Sequence, residues 1–400
     1  MATLRTARWI GFALVAALGV TAAINSPLFD QHPGTDVLRI LSTPPNSESP
    51  GELIRQSLTV PDSNNALEDF TRCAPRTQLG CLAVLREDMA AGEPGTLREI
   101  DKNLTEYRKL LQSRDFHHLV KSSSDAATPQ WGVILQLAQL NLALVSRDSS
   151  EQFIRTLESD IRFWKLLYRE GHSMLEKMVA VAGLWTDHQF VSEYLLLEDV
   201  DEEVLNKLNE ILLTSGLEPT TLVTAYENEF RNLAGLLTPP DSQVLAQAYG
   251  ISPWRTMLLL QPQATMNQYY AQAIAPAICL AGLPVAALLT EQQDGTQCSS
   301  DLFFKRAVGT WSLYNPAGQT LVGAAAGAAG YIFRIHDFQG LRGMVQYQLA
   351  LLGQGKARMV DYLDPALGAT ASSDQIAFNC LEQGNSLCQV TINTESETGQ

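Results

Sequence analysis

Residues 149–195 read SSEQFIRTLESDIRFWKLLYREGHSMLEKMVAVAGLWTDHQFVSEYL. Ser149 and Gln152 make a capping box, and Phe153, Leu157, Ile161, Trp164 and Leu167 follow at the spacing of a single helical face. Gly171 interrupts the pattern. Met174, Leu175, Met178, Val181, Ala182 and Trp185 then set a second helix that runs to about residue 195. Two long helices with so short a connection pack antiparallel, which points to a mainly α protein.

The same texture extends in both directions. Upstream, Thr96 and Glu99 cap a helix with Leu97, Ile100, Leu104, Tyr107 and Leu111 on one face. Pro129 opens WGVILQLAQLNLALV, which is apolar nearly all round and predicts central burial. Downstream, Asp199, Asp201, Glu202 and Glu203 suit a helix N-terminus, with Val204, Leu208, Ile211 and Leu212 as its buried stripe. Pro219 begins another helix with Leu222, Tyr226, Phe230 and Leu233 inward. Residues 66–238 therefore predict a helical domain, either an antiparallel bundle or an irregular helical array.

Residues 239–400 predict a second helical region, separate from the first or continuous with it. The apolar run at 271–290 contains Pro276, Pro284 and Cys279, so buried helices broken at the prolines are expected rather than a membrane span. GAAAGAAG at 323–330 is the composition of a loop or of close helix packing. At the C-terminus, residues 376–381 and 387–392 flank Gln383-Gly384-Asn385-Ser386, which predicts a β-hairpin with Cys380 facing Cys388. An isolated hairpin is marginal in water, so a disulfide and docking on helices would have to hold it.

The N-terminal run at residues 9–29 is uncharged, apolar and preceded by Arg5 and Arg8. It is read as a signal-anchor that stays in the inner membrane with the body in the periplasm, by the positive-inside rule. Cleavage near residues 20–23 to give a soluble periplasmic protein is the alternative, because the strongly apolar part is short of the roughly 20 residues of a full span. Residues 30–65, rich in Pro, Ser, Asn and Asp, form a tether. The six cysteines fall into near neighbours, Cys73 with Cys81, Cys279 with Cys298 and Cys380 with Cys388, as expected of disulfides in an oxidising compartment. Asn103-Leu104-Thr105 falls within a helical pattern, where glycan acceptors are uncommon, which favours a bacterial periplasm.

A net charge of −15 with no basic run argues against nucleic-acid binding. An apolar fraction of 46% over 400 residues supports a substantial core. The chain has no GxSxG, no phosphate loop, no HExxH and no CxxC, so no cofactor or metal is expected. Chemistry-bearing candidates are sparse. His172 and Glu176, four apart on a helix, have the spacing of an acid–base pair, although a structural role is the commoner outcome. His336 and Asp337 are adjacent in sequence, which does not make their side chains adjacent. His117 and His118 fit a helix C-terminus, and Glu227 and Glu229 point to different sides of theirs. Trp131, Trp164 and Trp185 lie on core faces, whereas Trp254, Tyr269 and Tyr270 are the aromatic candidates for a binding surface.

Asn315-Pro316-x-Gly318-x-x-Leu321, then Arg334, Asp337 and a Leu-rich helix, together with FWKLLYREGHSMLEKMVAVAGL, resemble uncharacterised exported helical proteins of Gram-negative bacteria. The resemblance implies compartment and helical fold, and brings no reaction with it. The expectation is a membrane-tethered periplasmic helical protein that binds or scaffolds envelope components, with an envelope protein as partner. The alternative is an envelope hydrolase using His172, Glu176, His336 and Asp337.

Overall fold

The computed structural model describes residues 32–42, 80–92, 94–112, 131–237, 260–284 and 330–352, short pieces at 287–288, 298, 315, 318–319 and 322, and the backbone of 376–380 and 388–392. In chain order the helices are α1 Thr35–Ser42, α2 Cys81–Ala91, α3 Pro94–Leu111, α4 Trp131–Val145, α5 Ser150–Glu170, α6 Met174–Leu197 and α7 Glu202–Thr214. After a 3-10 turn at Pro219–Thr221 come α8 Leu222–Leu236, α9 Pro262–Tyr269, α10 Ala275–Ala281 and α11 Gly330–Leu352. The described chain is thus mainly α. It divides into two compact units, Met1–Asn46 with Val223–Ala329, and Ser47–Leu222 with Gly330–Gln400. Within the larger unit α11 returns to pack on the helices before residue 223.

In the larger unit α6 is the centre, packed on α2, α4, α5 and α11. Its burial extends all round and includes polar residues: Thr186, Asp187, His188, Gln189 and Glu193 are all buried. α4 is also largely buried, as its uniformly apolar sequence requires. The helix starts are set by side-chain caps. Ser149 accepts from the Gln152 amide, Asp201 from that of Val204, and Ser173 with Glu176 makes a complete capping box at α6. At the other end of α5, buried Lys177 donates from Nζ to the Tyr168 carbonyl at 2.6 Å. This satisfies a carbonyl that the ending helix leaves open. α11 is tied to α6 by a reciprocal pair, Ser192 Oγ to Gln348 Oε1 at 2.6 Å and Gln348 Nε2 to the Ser192 carbonyl at 3.1 Å.

α2 has no cap of its own, since Gly80 at its start sits in the left-handed region with φ 78°. The Glu193 carboxylate of α6 supplies one from across the core, accepting from the amides of Leu82 at 2.6 Å and Gly80 at 3.1 Å. Gln189 Nε2 donates to the same carboxylate at 3.0 Å. Glu193→Gln keeps the shape but turns an amide donor toward backbone donors. It is expected to cost about 1–3 kcal/mol, read as a lower melting temperature with faster amide exchange at Leu82. Unchanged exchange there would disprove the borrowed cap.

In the smaller unit, the Phe230 ring of α8 stacks on Tyr269 with centroids 6.1 Å apart and meets Tyr270 edge-on at 5.9 Å. Arg231 of α8 donates from Nε to the Ile40 carbonyl of α1 at 3.0 Å. Asn315 is buried in a left-handed conformation with φ 51°; its Oδ1 accepts from the Gln261 amide at 2.8 Å and its Nδ2 donates to Thr265 Oγ1 at 3.0 Å. No side chain fits at Gly318, whose Cβ would run into Asn315 and Thr265. Asn315 and Gly318 are therefore packed together, and the Gln319 amide donates to the Asn315 carbonyl at 3.0 Å, in keeping with the structural role read from the sequence.

The expected break at Pro276 is corrected. α9 continues into α10 through a π-helical stretch, Tyr270–Ile274, and Pro276 lies in the first turn beyond it. The wider turn accommodates a residue that has no N–H and would crowd a preceding carbonyl. The helix ends before Pro284, as predicted. Cys279 and Cys298 form a disulfide with Cα atoms 5.6 Å apart. Cys81 is also disulfide-bonded; Cys73, its expected partner, lies outside the described residues.

Candidate functional site

α5 presents Glu158, Ile161, Arg162, Lys165, Leu166 and Arg169 along one side. With Gln112 after α3 and Ile211 and Thr214 of α7, these residues line a groove of about 750 Å³. That is the size of a small-molecule site. Its apolar lining residues are Ile161 and Leu166, both largely buried in α5, and Ile211. Its basic ones are Arg162, Lys165 and Arg169. The spacing 162, 165, 169 brings the three basic side chains to the same side of the helix.

Arg342 of α11 is close enough to act on Lys165. Its guanidinium packs on Gly216, where an added Cβ would push the end of the arginine side chain aside. Burial pushes the Arg342 pKa down, and its Nε has no hydrogen-bond partner. Lys165 donates to the Thr214 carbonyl. Its pKa is lowered first by partial burial and then by repulsion from Arg342 and Arg169. Carboxylates nearby offset part of this charge. Glu170 pairs with Arg169 at 2.6 Å, and Glu158 alone lines the groove.

A second polar cluster lies inside the larger unit. Tyr107 of α3 donates from its hydroxyl to Asp160 Oδ1 of α5 at 2.6 Å, and both residues are buried. Asp160 Oδ2 and both oxygens of Asp187 on α6 have no hydrogen-bond partner. Burial pushes the Asp160 pKa up to about 8 and that of Asp187 well above the usual range, the latter also through Asp160 itself. The pair retains a proton at neutral pH. Beside Asp187, His188 is fully buried and neutral, with burial lowering its pKa to about 4. Its Nδ1 lies 2.7 Å from the Leu184 carbonyl and its Nε2 2.8 Å from Ser215 Oγ. This resembles the nucleophile–base half of a hydrolase site. However, Ser215 is also fully buried, and the orienting group is a backbone carbonyl, since the Asp187 oxygens accept nothing.

No family model, curated protein or solved structure matches this chain. Its own geometry is what speaks for function.

Against that geometry the sequence candidates separate. His172 is not on a helix with Glu176, because α6 begins at Met174 with Ser173 as its cap. Glu176 Oε2 accepts from the amides of His172 at 2.8 Å and Ser173 at 3.0 Å, so its carboxylate is part of a helix start. His336 and Asp337 are neighbours on α11. Asp337 is buried, while His336, its pKa lowered by burial, has no partner at Nε2 and so is not joined to a carboxylate through that atom. Tyr269 is only 8% exposed and packs on Phe230, and half-buried Tyr270 meets the same ring. Glu227 faces Arg39 at 3.2 Å and Arg231 at 3.6 Å. Trp254, His117 and His118 lie outside the described residues. Among the described residues no group of three His, Cys, Asp or Glu side chains could hold a metal.

The groove and the buried acids were not among the sequence candidates. Asp160 carried a signal, standing three residues after Leu157 and four before Trp164, at core spacing. The groove did not, because three basic residues on an amphipathic helix normally mark a solvated face.

Proposed function

We propose that this is an exported, membrane-tethered helical protein that binds envelope components, and that the groove along α5 is its recognition surface. The observation that carries the reading is the groove itself: a concave, ligand-sized surface lined by three basic side chains, on a chain of net charge −15. Disulfide bonding at Cys279–Cys298 and at Cys81 supports an oxidising compartment. Antiparallel pairing of 376–380 with 388–392, which sets Cys380 opposite Cys388, supports the expected hairpin. Among the described residues no helix is long and apolar enough to cross a membrane. The anchor reading rests on residues 9–29, which are outside them. The catalytic alternative loses support because Glu176 is used as a cap and Ser215 with His188 is sealed from substrate.

The test is a photo-crosslinking amino acid placed at Arg162 in the groove and, as a control, at exposed Glu87 on α2, in the full chain produced in a Gram-negative host. Material is recovered from solubilised membranes and its N-terminus sequenced. A reproducible adduct from position 162 and none from 87, on a chain that retains residues 9–29, is the expected result. No adduct from 162 would end the groove reading, and a soluble mature chain starting near residue 23 would end the tether.

A further inference from the structure

Resting on that reading, we propose that the groove takes a ligand bearing a phosphate or phosphomonoester group, held between Arg162, Lys165, Arg169 and Arg342, with the remainder of the ligand along Ile161, Leu166 and Ile211. Three cations of α5, Arg162, Lys165 and Arg169, line the concavity, and Arg342 of α11, packed beside Gly216, is close enough to act on Lys165. Arg342 is partly buried against Gly216, with Nε unpartnered. A buried donor without an acceptor costs free energy that an arriving anion recovers. Burial lowers the Lys165 pKa, and repulsion from Arg342 and Arg169 lowers it further. An anion placed among them relieves that repulsion at the same time.

The chemical class follows from geometry. Guanidinium groups present paired donors that match two oxygens of a phosphate, and a doubly charged group satisfies more of the cations than a single carboxylate does. Glu158, the single carboxylate of the lining, disfavours an anion along the whole length and leaves the charge concentrated toward Lys165, Arg169 and Arg342. The apolar residues then favour a ligand with a hydrocarbon portion. A free phosphate and the headgroup of a phosphorylated amphiphile share this chemistry, and the experiment separates them.

The full chain in mild neutral detergent is titrated calorimetrically with inorganic phosphate and with hexyl phosphate, at low ionic strength and again in 0.5 M salt. Hexyl phosphate is expected to bind, to bind more tightly than inorganic phosphate, and to weaken at high salt. Equal affinity for the two probes also supports the anion site and identifies free phosphate as the source. Arg162→Gln with Arg169→Gln, both at exposed side chains, should lower the affinity at least tenfold without altering the fold. Arg342→Lys, which keeps a charge but loses the fork, should weaken binding several-fold. Absence of binding by either probe, or affinity unchanged in the double variant, overturns the inference. If position 162 still crosslinks an uncharged component while both probes fail, the binding reading stands and the phosphate assignment alone falls.

Discussion

Asp160→Asn is expected to make the protein more stable at pH 8 and to leave it nearly unchanged at pH 4. In the folded chain burial raises the Asp160 pKa to about 8, opposed only by the Tyr107 hydrogen bond, whereas an unfolded aspartate titrates near its ordinary value of 3.8. A folded-state pKa above the unfolded one means that stability is fully present below about pH 4. It is then lost as pH rises, until the folded group ionises near pH 8, because the unfolded chain releases its proton first. Each unit in that window costs about 1.4 kcal/mol. The groups that face Asp160 are Tyr107 from α3 and Asp187 from α6, and neither supplies a positive charge. Asparagine retains an acceptor for the Tyr107 hydroxyl and has no proton to lose, so the gain at pH 8 should be about 2–5 kcal/mol. This is a large part of a typical domain's net stability. Urea unfolding at pH 4, 6 and 8 reads it directly. The variant's dependence on pH should be flatter by about one proton, and identical slopes would show that Asp160 is ionised and compensated. Asp187→Leu, which replaces a buried acid with unpartnered oxygens by an apolar side chain of similar size, should raise stability at pH 8 in the same direction.

The contact of Trp164 with Gly183 should be the largest single packing term. Trp164 is fully buried, its ring edge-on to Phe163 at 4.7 Å, and its indole lies where a Cβ on Gly183 would be. Trp164→Ala is expected to cost about 3–5 kcal/mol through the cavity it leaves. Gly183→Ala gains about 1 kcal/mol of helix propensity. It loses about 1–3 kcal/mol by forcing the indole out of its seat, so the net effect is destabilising. In the double variant the indole is gone and the methyl added at position 183 meets no ring, so only the propensity gain remains. The double variant should therefore be more stable than Trp164→Ala alone, with a coupling energy of at least about 1 kcal/mol in a double-mutant cycle. Strict additivity would mean that Gly183 is not required by the indole.

These two sites differ in how far the sequence revealed them. The core face of α5 could be read from Phe153, Leu157, Ile161, Trp164 and Leu167, and all five are buried. The starts at Ser149 and near Asp201 could be read because caps act within a turn of their own position. That Asp160 would be sealed beside Asp187 could not, since it depends on the registry of α5 against α6. The continuation of the helix through Pro276 also escaped, because side-chain periodicity does not mark where a π turn makes room for a proline.

The sequence by itself determined the mainly α fold, the boundaries of α3 to α8 to within a few residues, the disulfide between Cys279 and Cys298, and the packed turn at Asn315, whereas α1 falls within the stretch read as a tether. Each depends on interactions within a helix, a cap or a short loop, whose range along the chain is short. The tertiary structure decided which charged residues would lie inside and which would gather in a groove. α11, far along the chain from α6, returns to pack on it and sets Phe338 edge-on against His188. It also brings Arg342 against Gly216, close enough to act on Lys165 of α5. A side chain's desolvation and its charged neighbours are properties of that packing, so no periodicity along the chain contains them.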